Sequence, residues 1–76
     1  MTFRDAISAR WPAEHWTHTV NLAAAGLGMS ESYIRMLSNL ERYPSIKKLD
    51  KICAELPEVD VAQWRKDVLA QREGQQ

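Results

Sequence analysis

The sequence predicts an all-α fold of five short helices, and three observations lead to it. Apolar residues recur at three- and four-residue spacing from Phe3 to Leu69, and no stretch alternates apolar with polar residues at period two. Residues that favour helix N-caps, Thr2, Thr19, Ser30, Ser45 and Asp60, each stand just ahead of such a stretch. Breakers divide the stretches: Pro12, Gly28, the "RYPS" turn and Pro57.

Thr2 caps a first helix whose stripe runs through Phe3, Ala6, Ile7 and Arg10 or Trp11. Pro12 ends or kinks it, because the residue before a proline avoids the α region. The segment "WPAEHWTH" is then either a short extra turn starting at Pro12 or an irregular connection. Thr19 is the expected N-cap of a second helix from Val20 to about Leu27, and Gly28 closes it in the left-handed conformation that glycine takes most easily. Ser30 opens a third helix from Glu31 to about Leu40, with Tyr33, Ile34, Leu37 and Leu40 along one stripe. Ser45 caps a fourth helix whose expected inward face is Ile46, Leu49, Ile52, Cys53 and Leu56. Asp60 caps a fifth helix carrying Val61, Trp64, Val68 and Leu69.

The 76 residues make one domain. A chain of this size buries only about 60% of its unfolded surface, so dimerisation would add needed core. The tail over residues 73–76 is expected to be disordered. A lone cysteine, Cys53, excludes a disulfide within the chain and fits a reducing cytoplasm. No apolar run approaches the ~20 residues of a membrane span, and no signal-peptide pattern opens the chain.

Ten basic residues balance ten acidic ones. The distribution says more than the sum. Residues 31–51 hold Arg35, Arg42, Lys47, Lys48 and Lys51 against Glu31, Glu41 and Asp50, whereas residues 52–76 carry an acidic excess. Positive charge therefore collects in the middle of the chain. Lys47 and Lys48 stand in the first turn of the fourth helix, against its dipole, which favours a role outside that helix.

Two short helices joined by a three- or four-residue turn containing glycine describe a helix-turn-helix. That motif needs a small residue where the helices cross, supplied by Ala24, and a turn glycine, supplied by Gly28. It also needs apolar anchors on the second helix, supplied by Ile34 and Leu37. From Thr19 to Trp64 the chain resembles the phage-repressor and Cro-like (XRE) helix-turn-helix family: the threonine, the alanine, the "LGMS" turn, "SYI" and "RYPS" all match. The motif covers about residues 19–40. The resemblance implies a five-helix lambda-repressor-like DNA-binding domain whose third helix enters the major groove.

By that resemblance, Ser30, Glu31, Ser32, Arg35, Met36 and Asn39 face DNA bases, and Arg42, Lys47 and Lys48 contact phosphates. The chain departs from the family at Val20, where a phosphate-contacting glutamine is common. It departs again at Ser38 and Leu40, which replace a frequent glutamate and glycine. Gly26 is an additional glycine inside the second helix.

His15 and His18 with Glu14 lack the further ligands of a metal site, and no nucleophile stands beside an evident base. Neither an enzyme nor a cofactor is expected. The implied partners are double-stranded DNA and a second copy of the chain, with Val68 and Leu69 at the dimer surface and Trp64 in the core. The expected function is a transcriptional regulator from a bacterium, phage or plasmid, repressing by dimer binding to a palindromic operator. A second reading keeps the fold but assigns it to a protein partner, as a protein-interaction module or an antitoxin that binds both DNA and a toxin.

Overall fold

Thr2 takes extended backbone, and its Oγ1 accepts the Asp5 N–H at 3.0 Å, opening helix α1 over Phe3–Arg10. The computed structural model describes residues 1–74. Four more helices follow: α2, Trp16–Leu27; α3, Glu31–Ser38; α4, Ile46–Glu55; and α5, Val61–Gly74. No strand occurs among the described residues, and the domain is all-α.

α2 begins earlier than the capping pattern suggested. His15, not Thr19, holds the N-cap position, and it makes no side-chain cap hydrogen bond. Thr19 lies inside the helix, is buried, and donates its hydroxyl to the Trp11 carbonyl at 3.0 Å. That carbonyl belongs to the end of α1, where the helix itself supplies no partner. A tertiary need therefore claimed the hydroxyl that a local rule assigned to capping. Between the two helices "PAEH" is irregular, and "WTH" is already helical.

The Trp11 ring also explains Gly26. A Cβ on Gly26 would overlap the indole, standing 3.0 Å from Cε2 and 3.2 Å from Cη2. Thr19 and Gly26 lie two turns apart on the same side of α2. One anchors the Trp11 backbone and the other receives its ring, so the bend after α1 is fastened to α2 at both ends.

α3 stops at Ser38, short of the expected Leu40. Glu41 N–H donates to the Met36 carbonyl at 3.0 Å and Leu40 N–H to the Leu37 carbonyl at 3.3 Å. These are the two bonds of a Schellman cap. Leu40 occupies its left-handed position, with φ 62°. A non-glycine residue there costs about 1–2 kcal/mol. Half-buried packing of the Leu40 side chain against the core offsets part of that cost.

The core gathers Phe3, Ala6 and Ile7 from α1, Val20, Ala23, Ala24 and Leu27 from α2, Ile34 and Leu37 from α3, Ile52 from α4, and Trp64 and Val68 from α5. Phe3 stacks on Trp64 at 4.9 Å between centroids, and the edge of Tyr43 meets the same indole at 5.6 Å. This aromatic trio joins α1, α5 and the connection after α3. Asp60 caps α5 as expected, its Oδ1 accepting the Gln63 N–H at 3.0 Å.

Three expectations are corrected here. Ile46 was placed on the inward face of α4 but is 80% exposed, because the first turn of that helix is exposed throughout and packing begins only at Leu49. Val68 was placed at a dimer surface but is 1% exposed and packs in the core, so it is not free to meet a partner. Its neighbour Leu69 is 48% exposed. Glu73 and Gly74 were placed in a disordered tail but belong to α5, while residues 75 and 76 of that expected tail lie outside the described residues.

Candidate nucleic-acid interface

Gly28, Met29 and Ser30 join α2 to α3. Gly28 takes the left-handed conformation, φ 67° and ψ 37°, and both its N–H and that of Met29 donate to the Ala24 carbonyl. Ser30 then returns to extended backbone, and its Oγ accepts the Tyr33 N–H at 3.1 Å. This N-cap starts α3 immediately after the turn. Ala24 is 8% exposed, and Ile34 and Leu37 are fully buried, so the small residue and the apolar anchors lie at the packed side of the helix pair.

With Ile34 and Leu37 inward, helical geometry sends Ser32, Arg35, Met36 and Asn39 to the opposite side of α3. Ser32 and Asn39 are exposed, and Arg35 and Met36 are half-buried at the margins of that face. Tyr33 lies on one flank and Glu31 on the other. Ser30 is exposed, but its hydroxyl is committed to the cap.

Two of the basic residues after α3, Arg42 and Lys48, meet on the Tyr33 flank. The Lys48 Nζ stands 3.9 Å from the centre of the Tyr33 ring, and the Arg42 guanidinium carbon stands 5.7 Å from it. Lys47 is exposed beside Lys48 in the first turn of α4. That turn contains no acidic residue, and Ser45 at its N-cap makes no side-chain hydrogen bond. Among the described residues the ion pair within 4.0 Å is Arg10 with Glu55, away from this region. Arg35, Arg42, Lys47 and Lys48 are thus not neutralised by a carboxylate at that distance.

Two participants were missed in the sequence. Tyr33 was read as part of the apolar stripe, although its ring receives two cations. Lys51 was counted only as charge, yet its Nζ lies 2.9 Å from the point where a Cβ on Gly28 would stand. There it meets the C-terminal end of α2, where the helix dipole favours a cation. Neither contact is local, so no residue spacing announces it. Val20, at the position where the resemblance calls for a phosphate-contacting residue, is fully buried.

Two other regions are separate from this face. The His15 and His18 rings meet edge-on at 5.8 Å, and among the described residues no group of three or more His, Cys, Asp or Glu is gathered. An open groove of about 370 Å³ runs past Phe3, Leu37, Leu40 and Trp64, with Asp5, Asp60 and Asp67 along it. It lies on the inward side of α3. Among the described residues no helix is long and apolar enough to cross a membrane. No family model, curated protein or solved structure matches the chain.

Proposed function

We propose that this domain is a helix-turn-helix DNA-binding regulator that reads duplex DNA with the outward face of α3. One observation carries the reading. A turn-linked helix presents Ser32, Arg35, Met36 and Asn39 outward, and Arg42 and Lys48, in no ion pair within 4.0 Å among the described residues, meet on its Tyr33 flank. Direct readout needs short polar and forked side chains on one helix, and positioning needs cations beside it.

In this reading Arg35 donates its fork to guanine O6 and N7, and Asn39 pairs with adenine N6 and N7. Met36 touches a thymine methyl, and Glu31 accepts from a cytosine N4 amine at the edge of the face. Ser32 bonds to base or phosphate. Arg42, Lys47 and Lys48 contact phosphates and set the register. The zero net charge leaves room for a local cluster of cations, and Arg42 and Lys48 form one beside α3.

A two-fold dimer sets its recognition helices about 34 Å apart, one turn of DNA, on a palindromic operator. Leu69 is an exposed large apolar residue on α5 suited to that contact. Occupancy of the operator would block a promoter, making the protein a cytoplasmic repressor. A second reading keeps the fold for a protein partner, as in an antitoxin, with the exposed Leu22 and Ile46 as its contacts. Selection from a pool of random duplexes separates the two. Enrichment of a palindromic sequence supports the regulator. No enrichment together with capture of a protein partner by Leu22 and Ile46 supports the second.

A further inference from the structure

We propose that Tyr33 is a positioning residue that orders Lys48 and Arg42 for phosphate contact without cancelling their charge. The inference rests on the DNA-binding reading. Its observation is the meeting of three elements on one ring: Tyr33 from α3, Arg42 from the connection and Lys48 from α4, at 5.7 and 3.9 Å from the ring centre.

The backbone of Tyr33 is fixed in the first turn of α3 by the hydrogen bond from its N–H to Ser30 Oγ. Its half-buried ring therefore has a set origin, one helical step from Ser32 on the reading face. An aromatic face attracts a cation through its quadrupole and carries no net charge. A carboxylate at the same place would also hold the two side chains, but it would oppose the approach of a phosphate. The ring keeps both positive charges available. It also lowers the ordering that two long, flexible side chains must undergo on binding.

The test has a free-protein arm and a DNA arm. In the free protein, the ring current of Tyr33 should move the ε-methylene proton resonances of Lys48 upfield of those of Lys47. Tyr33→Phe should keep that shift and Tyr33→Leu should remove it. On duplex DNA, Tyr33→Phe should bind within about twofold of the wild type. Tyr33→Leu, its folding checked by thermal melting, should bind about tenfold more weakly on every duplex alike. Lys48 resonances matching those of Lys47 overturn the positioning role even if Tyr33→Leu fails to fold. So does a folded Tyr33→Leu that binds as tightly as the wild type, or a Tyr33→Phe as weak as Tyr33→Leu. A clear Lys48 shift with no DNA binding by the wild type overturns the DNA-binding reading itself, and the role of Tyr33 with it.

Discussion

The Trp11 indole lies against the bare Cα of Gly26, fifteen residues further along the chain, in a space that a methyl group would fill. Helix propensity alone makes Gly26→Ala stabilising by roughly 0.5–1 kcal/mol. The contact reverses the sign. We expect Gly26→Ala to lower stability by about 1–3 kcal/mol in urea denaturation, because the ring must shift. In a Trp11→Ala background the same substitution should become neutral or stabilising, which a double-mutant cycle measures. An unconditional gain in stability would mean that the ring does not hold that space.

Leu40 gives the opposite comparison. Alanine outranks glycine inside a helix, but the left-handed backbone at position 40, with φ 62°, favours glycine. Leu40→Gly should therefore be more stable than Leu40→Ala by about 1 kcal/mol. Comparing the two variants with each other removes the lost side-chain packing, which they share. A more stable Leu40→Ala would place position 40 outside the left-handed region.

How much of this was legible in the residues differs by feature. Thr2, Ser30 and Asp60 act through hydrogen bonds three residues ahead, and Gly28 acts through its own backbone, so local rules found all four. The stripe Phe3, Ala6, Ile7 and the anchors Ile34 and Leu37 were equally visible as periodicity. Thr19 was misplaced because its partner, the Trp11 carbonyl, lies back along the chain across a bend. Val68 and Leu69 are both apolar and adjacent, and only the rotation of α5 about its axis decides which is buried. The outward face of α3 followed from its two buried anchors. The gathering of Arg42 and Lys48 on Tyr33 did not, because three separate elements meet there.

Val68 and Leu69 should respond differently to substitution. Val68→Ala removes buried methyl groups and should cost roughly 1–3 kcal/mol of stability, seen as a lower denaturation midpoint. Leu69→Glu, melted at a concentration low enough for the wild type to be monomeric, should leave that midpoint within about 0.5 kcal/mol, while weakening self-association in sedimentation at higher concentration. A Leu69→Glu protein that sediments like the wild type would remove Leu69 from any dimer contact.

Arg35 and the flanking cations should separate on a panel of duplexes that differ at single base pairs. Arg35→Ala is expected to relax preference at one base pair, costing roughly 1–3 kcal/mol there. Lys47→Ala should weaken binding to all duplexes by a similar factor, as loss of a phosphate contact does. Uniform weakening by Arg35→Ala would move that residue from base readout to the backbone.

The most direct measurement is affinity for a selected duplex as a function of salt concentration. Arg42, Lys47 and Lys48 acting on phosphates in both halves of a dimer predict a log–log slope of about −5, at roughly −0.9 for each phosphate neutralised. Replacing all three by alanine should remove most of that slope. Failure of the wild type to enrich any duplex, with no salt-dependent binding, would contradict the account.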